Sequence, residues 1–343
     1  MVIQTDVVIV GAGPCGLFQV FELGLLGLKA HVVDSIKQPG GQCTELYPDK
    51  PIYDIPAVPV CTGEELTDNL LKQIEPFGAT MHLGEEVTQL ERTSDDRFHV
   101  TTSNGTQFDA GAVVIAAGVG SFQPRQIRAE NVADYEGTSI VYRVRNPEQY
   151  AGKHLVVFGG GDSALDWLLA LQPTAQSITL VHRRDEYRGV DASVAKMRAL
   201  AASGDVTIIE NAKATAFNGE HSVLQSVDVK TKAGEMHTLR ADHALVFFGL
   251  APKLGPIADW GLDINRKTIN VDTEKFETNE PGIFAVGDIN FYPGKKKLIL
   301  SGFHEAALAA FAIKARLEPG RKVHLQYTTT SPVMHERLGI NDE

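Results

Sequence analysis

Two short apolar runs in this chain end in glycine-rich turns of one pattern, and that pair limits the possible folds more than any other feature. Val7-Val8-Ile9-Val10 leads into Gly11-Ala12-Gly13-Pro14-Cys15-Gly16, which reads G-x-G-x-x-G. His154-Leu155-Val156-Val157-Phe158 leads into Gly159-Gly160-Gly161-Asp162-Ser163-Ala164, which reads G-x-G-x-x-A. In such a turn the first glycine permits the sharp exit from a strand. The second lets backbone approach a pyrophosphate, and the third small residue lets the next helix lie close to the sheet. The N–H groups at that helix N-terminus then face phosphate charge. A lone match is weak, so the surroundings decide. Leu17 to Leu28 and Leu165 to Leu171 read as buried helices, followed by strands at Ala30 to Val33 and Ser177 to Val181. Asp34 stands 23 positions after Gly11, and His182 stands 23 positions after Gly159. Matched spacing on both sides makes two dinucleotide sites the better reading.

The residues at those matched ends separate the two ligands. Asp34 accepts from ribose hydroxyls and repels a 2′-phosphate, so the first turn (Gly11, Gly13, Pro14, Gly16) suits FAD or NAD. At the second, His182-Arg183-Arg184 and then Arg188 offer guanidinium forks where an acid would stand. Such forks match phosphate oxygens in pairs. The second turn, with Gly159, Gly161, Asp162, Ser163 and Ala164, therefore suits NADPH. The bland alternatives are a solvated aspartate and a solvated basic turn. Each fails to explain why the residue falls at a position fixed by the repeat.

The repeat extends further. Ala112 to Gly118, AVVIAAG, is answered by Ala244 to Gly249, ALVFFG, and the turn Asn104-Gly105 by Ala233-Gly234. Each half is one α/β unit plus a β-meander. Beyond the second half, the strand Gly282 to Val286 ends in Gly287-Asp288. Ser301 to Leu317 then reads as an alanine-rich helix with Ser301 as its N-cap. Glu64 to Phe77 has helical spacing and is closed by Gly78. The polar stretch Arg321 to Glu343 lacks a long periodic segment and reads as a frayed tail. The expected fold is α/β: two Rossmann-like ββα dinucleotide-binding domains, with the NADPH domain, 121–281, inserted into the FAD domain, 1–120 and 282–343.

A formal charge of −11 leaves no basic excess for nucleic acid. The three cysteines, Cys15, Cys43 and Cys61, form no C-x-x-C pair, which fits a reducing compartment. No apolar run reaches the roughly 18 residues of a membrane span, and no cleavable leader precedes the first strand. A cytoplasmic protein without membrane or metal partners is expected.

In this order, GAGPCG, IAAG at Ile115 to Gly118, GGGDSA, HRR and VGD resemble the two-dinucleotide-binding flavoproteins, with FAD first and NADPH inserted. Thioredoxin reductase carries a C-x-x-C in its NADPH domain, whereas residues 121–281 here contain no cysteine. The glutathione-reductase-like group places a cysteine pair after the first glycine motif, where Cys43 has no partner nearby. With GGQCTELYPDKPIYD at Gly40 to Asp54, GGGDSALDW at Gly159 to Trp167 and LGPIADWGLDI at Leu254 to Ile264, the chain resembles the thioredoxin-reductase-like ferredoxin–NADP reductases over nearly its whole length.

That resemblance implies hydride transfer from NADPH to flavin N5 and single-electron exchange with ferredoxin or flavodoxin, without a redox-active disulfide. It implies that Gln42, Val87 and Phe122 line the flavin and adenosine path and that Asp288 binds the ribityl or pyrophosphate region. Tyr47 would stack on one flavin face. The tail of a partner subunit, Tyr327-Thr328-Thr329, would cover the other face of a homodimer's flavin. The Ser301 helix would aim its N-terminal dipole at the reduced flavin. Lys295 to Lys297 would either dock an acidic carrier or form a solvated loop, and His304 reads as structural. Two other readings stay open: an NADPH diaphorase or quinone-type reductase, and a non-enzymatic dinucleotide-binding protein with structural FAD.

Overall fold

A computed structural model describes residues 2–144, 146–220 and 222–340, apart from the side chains of residues 121–124 and 250–252. The chain divides into two compact units, Met1–Ser121 with Pro252–Glu343, and Phe122–Ala251.

Val2–Val10 lies inside the first unit's seven-stranded sheet, ordered Thr80–Leu83, Ala30–Asp34, Val2–Val10, Gln107–Ile115, Phe98–Thr102, Val87–Arg92. The first four strands run parallel and the last two return antiparallel. Gln107–Ile115 pairs with Val2–Val10 along its length. Its other edge is shared, residues 107–110 bonding to Phe98–Thr101 and Val113–Ile115 to Ile283–Ala285. Val7 and Ile9 pack with Leu17, Leu23 and Ile313 of the helical layer. Val8 and Val10 pack with Phe98, Val100 and Phe108 on the opposite face. A parallel strand covered on both faces is apolar at every position, which is why this run does not alternate.

The second unit holds an all-parallel sheet, ordered Ile140–Val141, His243–Phe247, His154–Gly159, Ser177–Val181, Thr207–Ile209. Its meander, Ala212–Glu220, Val223–Thr231 and Met236–Arg240, forms a sheet of its own. Val156 and Phe158 meet the meander's Phe217 and Val227, while Leu155 and Val157 meet Leu165, Leu168 and Met197 of the helices. The repeat seen in the sequence is thus a repeat of strand order around a central glycine turn.

Four local features differ from the sequence reading. Residues 252–281, read as part of the insert, pack in the first unit, where Ile257, Leu262 and Ile269 join Val8 and Val33 in one core. The helix read as Leu17 to Leu28 spans Pro14–Leu25, because Pro14 supplies a preset first-turn φ. Ser301 is not an N-cap: the helix is Ile299–Leu317, Leu298 holds the cap position, and Gly302 N bonds Leu298 O at 3.2 Å. The tail is not uniformly frayed. Pro332–Arg337 is a short helix in which Ser331 Oγ accepts from Met334 N at 3.3 Å, Met334 is buried, and Arg337 Nη1 donates to Leu25 O at 2.5 Å. Six residues are too few to display a period, and such a helix is held by its cap and its contacts.

The predicted Glu64 to Phe77 helix is Gly63–Ile74 continued by a 3₁₀ turn, Glu75–Phe77, and Gly78 closes it at φ +57°. Thr62 and Glu65 cap its start reciprocally, Glu65 N donating to Thr62 Oγ1 at 3.1 Å and Thr62 N to Glu65 Oε2 at 2.8 Å. Among the described residues no helix is long and apolar enough to cross a membrane, and no group of His, Cys, Asp and Glu could hold a metal.

His31 and His82, on adjacent strands, share a 3.0 Å contact between Nδ1 and Nε2 and pack around Phe108. Burial, and then His82, push the His31 pKa below its usual 6.5. In that case the unfolded chain binds more protons than the fold as pH drops below 6.5, so this part of the stability is complete above that value and lost beneath it. His31→Phe is expected to flatten the decline of Tm on mild acidification, measured by thermal melts across that range.

Candidate functional site

The first glycine turn is built from backbone packed too tightly for side chains. A Cβ at Gly11, whose φ is +115°, would lie 2.4 Å from Ala116 O, and one at Gly16 would lie 1.9 Å from Gly11 O. Gly13 differs. Its Cβ would meet only Gly41 Cα, at 4.0 Å, and its φ of −72° suits any residue. Gly13 and Gly41 therefore face each other as bare backbone. No side chain caps Pro14–Leu25, in contrast to the helices begun by Thr62 and Ser331. Uncapped N–H donors beside a glycine cradle suit an anion.

Asp34 closes this turn. Its Oδ2 accepts from Ala12 N at 2.6 Å and its Oδ1 from Ile36 N at 2.8 Å. Burial raises its pKa, against the lowering effect of those two bonds. The carboxylate thus shapes the loop, and each oxygen keeps a lone pair for a further donor. Gln42, which opens the short helix Gln42–Leu46, donates from Nε2 to Asp288 Oδ2 at 3.3 Å and lies over Gly118. Tyr47 ends that helix, half-buried, with Cys43 Sγ donating to its hydroxyl at 3.6 Å. Gln42, Tyr47 and Asp288 thus gather near the glycine turn, whereas the Val87 side chain packs into the core on the Val8 face of the sheet. Phe122 falls in the strand Ser121–Pro124, and its side chain lies outside the described residues.

The Gly287-Asp288 turn is held by a residue that the sequence reading passed over. Glu305, fully buried, accepts from Gly287 N at 2.7 Å, Asn290 Nδ2 at 2.8 Å and Tyr292 OH at 2.9 Å, and it pairs with Lys295. Lys295 is therefore not a docking residue: its side chain is 4% exposed, although Pro293, Gly294, Lys296 and Lys297 around it lie in an exposed loop. Lys296, Lys297 and His304 are exposed. A signal for Glu305 existed. Gly302, Glu305, Ala306, Ala309, Ala310 and Ile313 form one buried helical stripe, and an acid on such a stripe requires partners.

At the second turn Gly159 has φ +149°, and a Cβ there would lie 2.6 Å from Phe247 O, while Gly161 opens onto free space. The basic segment folds back on this turn. Arg188 N donates to Gly160 O at 2.7 Å, Val190 N to Asp162 Oδ1 at 2.9 Å, and the His182 ring packs directly on Gly160. Burial, more than Arg183 and Arg184, lowers the His182 pKa. Arg183, Arg184, Arg188, Asp162 and Ser163 are exposed, and Ala164 is buried beneath Gly159. Tyr327, Thr328 and Thr329 are exposed too, and the bonds described there are local, as in Ser331 N to Tyr327 O at 3.0 Å.

Burial pushes the Cys15 thiol up to about 12, aided by Asp288 and Glu305, and it also raises those of Cys43 and Cys61. Thiol exchange needs the opposite shift. Residues 5–312 match the family described as pyridine nucleotide-disulphide oxidoreductase. The chain belongs to that family. Within it, the "Ferredoxin--NADP reductase" of Methylibium petroleiphilum is 60% identical over 342 residues, 98% of this chain and 93% of that protein. The "Ferredoxin--NADP reductase 2" of Cupriavidus metallidurans is 60% identical over 338 residues, 98% and 92% of the two chains. Among solved structures, Lactococcus lactis thioredoxin reductase superposes with a TM-score of 0.71 at 25% identity, over 91% of this chain and 99% of its own.

Proposed function

We propose that this chain is a flavin-dependent ferredoxin–NADP reductase, exchanging electrons between NADPH and a one-electron carrier protein, a ferredoxin or flavodoxin. The observation that carries the reading is the contrast at matched positions, an acid at Asp34 and arginines after His182, in a chain 60% identical to proteins of that name. The three raised thiols support chemistry without a disulfide.

In this reading the first unit holds FAD. The open Gly13–Gly41 cradle and the uncapped helix fit its pyrophosphate, Asp34 its ribose, and Asp288 with Gln42 the chain leading to the flavin. When bound, FAD accepts hydride at N5 and releases electrons singly. Tyr47 supplies an aromatic face against which the ring is oriented. The second unit holds NADPH: Gly159, Gly161, Asp162, Ser163 and Ala164 shape the turn, and Arg183, Arg184 and Arg188 grip the 2′-phosphate. The exposed Tyr327-Thr328-Thr329 stretch fits a homodimer in which each tail covers its partner's flavin. The sparse cysteines favour a cytoplasmic location.

Anaerobic titration with NADPH, and in parallel NADH, followed by oxidised ferredoxin, tests the reading. NADPH is expected to bleach the flavin absorbance well before NADH does, and ferredoxin to restore it. Unchanged absorbance would leave FAD a structural group, and bleaching without transfer to ferredoxin or flavodoxin would leave a diaphorase.

A further inference from the structure

The least expected charge in the first unit is the Glu305 carboxylate, 0% exposed on the alanine-rich face of Ile299–Leu317. Burying such a group costs heavily unless it is paired and hydrogen-bonded. Both of its oxygens are engaged. Oε2 accepts from Gly287 N and Asn290 Nδ2, and Oε1 from Tyr292 OH and Lys295 Nζ. Asn290 Nδ2 also donates to Ala285 O at 2.9 Å. Every one of these donors lies in the loop that follows Ile283–Ala285, so one carboxylate pins that loop from within. Between the buried residues Gly287 and Ile289, Asp288 alone is half-exposed, and it accepts from Gln42. On the other side, Cys15 of the first glycine turn is wedged against the same loop. A Cβ on Gly287 would come within 3.0 Å of its Sγ, and one on Gly302 within 2.1 Å.

We propose that Glu305, neutralised by Lys295, is a positioning residue for the cofactor: it locks the Gly287–Asp288 turn against the first glycine turn, so that Asp288 is set before FAD arrives. The inference rests on the reading that the first unit holds FAD. The carboxylate does not touch the cofactor; it acts through Asp288. An acceptor fixed beforehand binds more tightly because little ordering remains to be done on binding.

The test uses full-length apoprotein, with FAD affinity followed by flavin fluorescence quenching and apoprotein Tm by circular dichroism. Glu305→Gln is expected to weaken FAD binding about tenfold or more, as a buried donor loses its charged acceptor. In an Asp288→Ala background the same change should cost much less, since the residue it positions is gone. Lys295→Met should weaken binding likewise, Lys295→Arg should stay near the parent, and adding Glu305→Gln to Lys295→Met should restore part of the loss. A lowered Tm with unchanged FAD affinity, or an equal loss with and without Asp288, would overturn the proposal and leave the network a packing feature. If Glu305→Gln does not fold, the Lys295→Met and Lys295→Arg pair decides, and parental affinity in both overturns it. A parent that binds FAD but fails to reduce ferredoxin would sink the reductase reading and leave this test intact. A parent that binds no FAD sinks both.

Discussion

Gly13→Ala is expected to give a folded protein that no longer retains FAD. The methyl would enter the space between Gly13 and Gly41, where its nearest protein neighbour is 4.0 Å away, so the fold has no reason to resist it. A pyrophosphate resting on that backbone, as proposed, would. Tm of the apoprotein should stay close to the parent, within about 1 kcal/mol of stability, while FAD affinity falls by about a hundredfold, the steric cost of an atom in a contact surface. Gly16→Val is the opposing control. Its Cβ would sit 1.9 Å from Gly11 O, and the helix cannot retreat, because Gly24 is packed on Phe77 and Cys15 on Gly302. Overpacking of this kind costs about 3 kcal/mol or more in stability, so Gly16→Val should lower Tm and lose FAD together. Equal behaviour of the two variants would remove the distinction between a binding glycine and a packing glycine.

Replacing Arg183 and Arg184 together by alanine is expected to raise the KM for NADPH about a hundredfold, roughly tenfold for each charge-assisted phosphate contact. The KM for NADH, which has no 2′-phosphate, should hardly move. Both arginines are exposed, and a contact to the 2′-phosphate alone is the same in ground and transition state, so kcat should be nearly preserved: the loss is one of uniform binding. Steady-state kinetics with both nucleotides decides it. A parallel rise for NADH, or a fall in kcat alone, would mean that these arginines do not read the phosphate.

Much of this architecture was legible in the sequence because it rests on local chemistry repeated twice. The turns at Gly11 and Gly159 need positive φ and close backbone approach, conditions that few residues besides glycine meet. The 23-residue spacing then fixes where the next strand ends. Longer-range features were harder to read. Leu254 to Ile264 follows the insert in the chain and its order alone assigns it there, although Ile257 and Leu262 complete a core begun at Val8. Chain order carries no mark of which core an apolar residue will join. Ser301 looked like a cap because serine caps well, yet the Leu298 carbonyl already begins the helix. Glu305 carries no motif, and Lys295 stands in a lysine run that suits a docking patch or a solvated loop. Their roles depend on four donors converging at one point, which residue type alone does not reveal.

The shared edge of Gln107–Ile115 bears on how the chain is made. Val113–Ile115 stays half-paired until Ile283–Ala285 arrives, about half the chain later in synthesis. The second unit, by contrast, is continuous from Phe122 to Ala251 and needs nothing made afterwards. A ribosome making this protein therefore releases a complete second unit while the first still lacks a strand and the Ile299–Leu317 helix. The second unit can thus be complete before the first, so the nascent chain must keep an apolar sheet edge from foreign partners until its own strand emerges.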